Sequence, residues 1–209
     1  MLRTACCFLF FAGAFLLTGA AEASWAHTHI KKAWTGGLTY QEVEDLTRAA
    51  AKADPKTQDG YWTLVLLAAH HDAIGGRELA CELVDRFEDV GKYKKDMRLN
   101  LLRASCLVIA GDLGSAAELA GKAASVAANT EPLDYYPVLF RAHEIKATSL
   151  LQLAKANPDD VARQRQAKRA LAAWQLAARM REAHVPLVEA LAWQEEYDET
   201  YGDDGLDTE

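Results

Sequence analysis

A chain of 209 residues with 23 Lys and Arg against 30 Asp and Glu, half of it apolar and a quarter charged, has the balance of an ordinary globular protein of one domain or at most two small ones. Thirteen Gly, five Pro and four Cys exclude collagen-like, Pro-rich disordered and disulfide-dense scaffolds, and abundant Ala with little Ile favours helix over sheet. The net charge of −7 argues against a generic nucleic-acid or anionic-membrane binder, because such proteins draw affinity from excess Lys and Arg.

Residues 1–23 read MLRTACCFLFFAGAFLLTGAAEA. Arg3 precedes an apolar stretch from Ala5 to Leu17, and a small-residue exit ends in Ala21-Glu22-Ala23, the layout of a secretory signal peptide with its cleavage site. The alternative is an uncleaved anchor, since the weakly polar run to Ala21 reaches the lower limit for spanning a bilayer. Cys6 and Cys7 open the apolar run rather than follow it, which argues against a lipoprotein. A second cleavage choice after Ala26 would leave His27-Thr28-His29 at the N-terminus, where an amine with imidazoles at the first and third positions can chelate copper or nickel. Cleavage after Ala23 lies closer to the apolar core and is the better site.

Residues 24–38 carry Trp25, Trp34, Lys31 and Lys32 without clear periodicity and read as an irregular lead-in. Thr39 with Glu42 is a capping box opening a helix to about Ala53, before Asp54-Pro55 stops it. Tyr61 to Asp72 and Arg77 to Val90 form an antiparallel pair turned at Gly75-Gly76. Asp96 to Ala110 and Ser115 to Ala128 form the next, turned at Gly111-Asp112, with Ser115 and Glu118 as a second capping box. Pro132 begins a long helix to about Ala156. Asn157-Pro158 reads as N-cap and first helical position of another to about Ala183, and Pro186 starts a last helix to about Tyr201. No segment alternates with the period of a strand, so the fold class is all-α, built of antiparallel helix pairs with short turns over residues 39–201, followed by an acidic tail at 202–209.

Offsetting the sequence by 36 residues aligns Leu66 with Leu102, Ala68 with Ala104, Gly75 with Gly111, Ala80 with Ala116, Glu82 with Glu118 and Leu83 with Leu119. Small residues midway along one helix and early in the next, with Gly at the turn, are what closely packed helix pairs need. Over about residues 61–128 the chain resembles the tetratricopeptide repeat family, a helix-turn-helix unit of about 34 residues with the pattern W-x2-L-G-x2-Y, A-x3-F, P. Leu67-Ala68 and Ala80 fit the first unit, while Leu64, His71 and Val84 replace its aromatic residues. Ala104, Leu107, Gly111 and Ala116 fit the second, where Asn100 and Arg103 depart. The resemblance implies a right-handed stacked array. A generic Ala-rich helical bundle is the other architecture open to this pattern.

Chemistry is sparse. His70-His71 point about 100° apart on a helix and do not share one ion easily, and H-E-x-x-H, C-x-x-C and His pairs at i, i+4 are all absent from the sequence. G-x-S-x-G, Ser-x-x-Lys, G-x-G-x-x-G and a P-loop are absent too, so no catalytic residue and no cofactor is expected. Cys81 and Cys106 lie on helices that a stacked array makes neighbours, so they can bridge in an oxidising compartment or remain two small core residues. Trp193, Tyr197 and Tyr201 make an i, i+4, i+8 stripe, read either as packed core of a closing helix or as a recognition surface. Arg163, Arg165, Lys168 and Arg169 form a basic cluster, whereas residues 195–209 hold eight acids and no base, which leaves residues 24–194 at about +1. The expectation is an exported, non-enzymatic module for protein or peptide interactions in the cell envelope, with an acidic tail lying over a basic helix until an acidic partner displaces it. The alternative is an exported binder of a metal or small ligand.

Overall fold

The computed structural model describes residues 29–128 and 136–180. Residues 1–23, read as a signal segment, His27, the expected last helix with Trp193, Tyr197 and Tyr201, and residues 202–209 lie outside the described residues. Those residues are all-α, without a strand among them, and no helix is long and apolar enough to cross a membrane.

Residues 29–34, inside the stretch expected to be irregular, form a helix (α1), with Ile30, Ala33 and Trp34 all buried. Their i, i+3, i+4 spacing is one helical face, too short to show as a period beside the Gly36-Gly37 turn. Thr39 then caps α2 (Tyr40–Ala50) as expected: the Thr39 amide donates to Glu42 Oε2 at 2.7 Å and the Glu42 amide donates to Thr39 Oγ1 at 3.3 Å. Lys32 Nζ donates to Glu42 Oε1 at 3.0 Å, so one carboxylate joins α1 to α2. The Thr39 amide and the Lys32 ammonium together pull Glu42 down to about 2.

The central helix α3 (Gln58–Ala73) starts three residues before the expected Tyr61, because Thr57 caps it by accepting from the Gly60 amide at 3.1 Å. It is enclosed on nearly every side, with Leu64 to Ala69 buried without a break, and so it lacks the one-sided pattern of a surface helix. Its partner α4 (Arg77–Asp85) ends well before Val90. Phe87 turns inward, where its ring lies 5.9 Å from both Tyr61 and Tyr93, and Tyr61 and Tyr93 meet at 4.4 Å. Arg86 reaches back to the carbonyls of Ala50 and Ala53, supplying the donors that the end of α2 lacks.

Asp96 caps α5 (Met97–Ile109), accepting from the Arg98 and Leu99 amides at 3.0 Å. The expected Ser115 capping box is replaced: α6 (Leu113–Ala128) begins earlier, and Asp112 accepts from the Ser115 amide at 3.1 Å. Beyond residue 135 come α7 (Tyr136–Ala156) and α8 (Val161–Met180). The expected Asn157-Pro158 start of α8 is likewise moved. Asn157 closes α7 by donating to the Leu153 carbonyl, and Asp160 takes the capping role by accepting from the Arg163 amide at 3.0 Å. In both places the Asp immediately before the first helical residue, Asp112 or Asp160, takes the role of the residue that sequence spacing nominates, because its carboxylate is a stronger acceptor for first-turn amides.

Each helix from α2 to α8 packs on its neighbours in the chain, and α5 also packs on both α3 and α7. Cys81 of α4 and Cys106 of α5 are joined in a disulfide with Cα atoms 5.6 Å apart. One apolar core spans α1 to the start of α7, and a second, formed by Phe140, Leu151, Leu171 and Trp174 with six Ala residues, joins α7 to α8. Ala at so many contacts lets α6, α7 and α8 approach closely.

Gly60 has no room for a side chain: a Cβ there would stand 1.9 Å from the Asp54 carbonyl oxygen, a backbone atom of the preceding turn. Gly60→Ala is expected to cost about 3 kcal/mol through overpacking, seen as a lower urea midpoint; an unchanged midpoint would contradict this geometry.

Candidate functional site

The side chain of Asp72, near the end of α3, is 1 % exposed. Its Oδ1 accepts from Ser105 Oγ of α5, and Arg141 of α7 donates from Nε to Oδ2 at 3.1 Å and from Nη2 to Oδ1 at 3.4 Å. Arg141 Nη1 also donates to Glu144 Oε2 at 2.6 Å, and Arg77 Nε stands 3.8 Å from Asp72. Burial opposes the charge on Arg141, but the Asp72 and Glu144 carboxylates more than offset it and hold its proton more firmly than usual. Arg77, Ser105, Arg141 and Glu144 line a recess of about 200 Å³, yet with Asp72 beneath them these groups satisfy one another. They form a structural tie across three helices rather than a site awaiting a ligand.

That tie sets the rotation of α7. At about 100° per residue, His143 points roughly opposite to Arg141, and Lys146 and Leu150 follow on the same face. This face is the floor of a cleft of about 460 Å³. Gly114, Ala117 and Glu118 of α6 make one wall, and Gln166, Arg169, Ala170 and Ala173 of α8 make the other. The volume exists because four of the wall residues are Gly or Ala, and it falls within the range of small-ligand and peptide-side-chain pockets. The Lys146 chain crosses Gly121 of α6, where a Cβ would stand 3.6 Å from its Cδ.

The cleft is basic. Lys146 and Arg169 have no acidic partner among the described residues, and the one acid in its walls, Glu118, is engaged by Lys122 at 2.6 Å. Burial, and then the nearby Lys146 ammonium, lower the His143 pKa, so the ring is neutral at pH 7; its Nδ1 is buried without a hydrogen-bond partner. Two cations and an imidazole so placed offer charge and hydrogen bonding suited to a carboxylate or another anion.

Of the expected basic cluster, Arg169 lies in the cleft and Arg165 stands one turn before it on α8, whereas Lys168, two residues from both Gln166 and Ala170, is turned to roughly the opposite side of the helix. Arg163 is set apart, since its guanidinium pairs with Asp160 at 3.3 Å. His29 Nε2 lies 3.3 Å from Glu42 Oε1, next to the α1–α2 junction. His70 and His71 have ring centroids 5.9 Å apart, and both pKa values are lowered by burial, for His70 with a further push from His71. No group of three or more His, Cys, Asp or Glu placed to hold a metal occurs among the described residues. Sequence reasoning missed His143 and Lys146. Their i, i+3 spacing on α7 was a legible signal, but only the packing shows that α6 and α8 flank it. Comparison with protein-family models, curated proteins and solved structures found no match.

Two outcomes follow from these groups. Asp72→Asn, which leaves a buried guanidinium short of a counter-charge, is expected to lower stability by about 3 kcal/mol in urea titration, whereas Glu144→Gln at the rim costs under about 1 kcal/mol. Equal losses would place the tie elsewhere. His70, His71 and His143 all take up protons less readily folded than unfolded, so the unfolded chain binds more protons below its ordinary histidine pKa of about 6.5. Stability is therefore full above that pH and falls as pH drops through it. The urea midpoint should be lower at pH 5 than at pH 7.5, with a shallower dependence in His143→Gln; a flat profile would refute the assignment.

Proposed function

We propose that this chain is an exported helical-repeat protein of tetratricopeptide-like architecture that holds another protein or a peptide and performs no chemistry of its own. The observation that carries this reading is positional equivalence. Leu66 and Leu102, Ala68 and Ala104, and Ala80 and Ala116, each pair 36 residues apart, are all buried, and Gly75 and Gly111 both have positive φ, +87° and +78°, at the two turns. Two helix pairs thus repeat one packing solution, and the contacts of α5 with both α3 and α7 follow the pattern of stacked units, in which first helices line up along the array. α7 and α8, at 21 and 20 residues, make a longer third pair.

Export is supported by the layout of residues 1–23 and by the Cys81–Cys106 disulfide, since exported proteins keep such bonds and reducing cytosols remove them. A binding role is supported by the cleft, whose two cations, Lys146 and Arg169, have no acidic partner among the described residues. Arrays of this kind present side chains from successive helices to an extended partner.

Site-specific photo-crosslinking in the native cell tests this. A photoreactive residue at Gln166 or Ala173, at the cleft, is expected to give a discrete adduct with another polypeptide, and one at Tyr40, exposed on α2, is expected to give none. The chain recovered should begin near Ser24. Absence of any adduct at both cleft positions would overturn the interaction reading, and an unprocessed cytosolic chain would overturn export.

A further inference from the structure

We infer that the cleft over α7 is a receptor for acidic segments and that in the isolated chain its occupant is the protein's own C-terminal stretch, residues 195–209. The inference deepens the interaction reading above and rests on it for the consequence drawn for partners.

Charge complementarity is the first argument. Lys146 and Arg169 face the cleft without acidic partners among the described residues, and Arg165, one turn before Arg169, extends the positive surface along α8. Glu118, the one acid in the walls, already serves Lys122. Residues 24–194 sum to about +1, so with Lys146, Arg165 and Arg169 set aside the remainder carries about −2, and the surplus of positive charge is local. The surplus of negative charge is local too: eight acids and no base lie in residues 195–209.

Reach is the second argument. Arg169 lies about 17 Å back along α8 from Met180, at 1.5 Å per residue. The intervening chain to residue 195 spans about 22 Å even if helical and about 50 Å if extended. Either span exceeds the distance back to Arg169, so a chain that reverses direction after Met180 is long enough to bring the acids to the cleft.

Tethering is the third argument. A segment joined by so short a connection is present at its site at an effective concentration in the millimolar range, so even weak ion pairs keep it seated. An external acidic segment must compete with it. The tail thus sets a threshold that admits only partners with more, or better placed, carboxylates, and the contact weakens as salt screens it.

Zero-length carbodiimide coupling of the full chain, on an equal mixture of ¹⁴N- and ¹⁵N-labelled protein, tests the docking directly. The expected result is an amide between Lys146 and an acid of residues 195–209 within one isotopic species, reduced severalfold in 0.5 M salt and in Arg169→Glu, a change at an exposed position. No such link in protein with native helical circular dichroism, or links only in mixed-isotope products, overturns the inference. The companion measurement uses a fluorescent deca-glutamate peptide. It should bind the chain carrying E195Q, E196Q, D198N and E199Q at least about tenfold more tightly than the unaltered chain. Equal binding to both chains removes the tail from the cleft but leaves the cleft a receptor. Binding to neither overturns the receptor itself, while photo-adducts at Gln166 would still sustain the broader interaction role.

Discussion

The Asp72 carboxylate sits where α3, α5 and α7 converge, and what α7 does depends on it. A carboxylate removed from water needs its full set of donors, and here they come from Ser105 on one neighbouring helix and Arg141 on the next. A hydrophobic contact would hold these helices together while allowing them to rotate or slide. The two-pronged approach of a planar guanidinium to one carboxylate admits a single arrangement. With Arg141 turned toward Asp72, the opposite face of α7 is committed to carrying His143 and Lys146 between α6 and α8. The tie and the cleft are two faces of one helix.

The second constraint is size. The contacts of α6, α7 and α8 are made largely by Ala, which brings backbones close but fills little space toward the surface. Where Gly114, Ala117, Ala170 and Ala173 face one another across α7, the helices pack at their bases and leave a cleft above. Larger side chains at Gly114 or Ala173 would fill it, whereas Ala117 and Ala170 are themselves buried in the packing beneath. The basic groups then stand in a partly apolar setting, where an anion's charge counts for more than on open surface.

Capping was legible to different degrees along the chain. Thr39 and Glu42 form the box their spacing announces, whereas in place of Ser115 and Asn157 an Asp three residues away, Asp112 and Asp160, takes the role. Spacing identifies which residues are able to cap; which one does so depends on where packing stops the helix. The same holds for α4, which periodicity carries to Val90 but which ends at Asp85, because Phe87 is needed among Tyr61 and Tyr93. The short α1 was hidden for the converse reason: a single helical face of three residues has no period to read.

The amino-acid sequence by itself determined the class of structure, the placing of most helices, the turns at Gly75 and Gly111, and the separation of charge between a basic helix and an acidic end. These are local properties, set by propensity, periodicity and composition within a few turns of chain. It also showed that Cys81 and Cys106 lie on helices that stacking would make neighbours. Only the tertiary structure decided that Asp72 meets Arg141, that His143 and Lys146 of α7 share a cleft with Arg169 of α8, and that Arg163 belongs instead with Asp160. Those pairings join residues far apart in the chain, and which of several equally charged side chains meet is settled by the rotation and separation of packed helices.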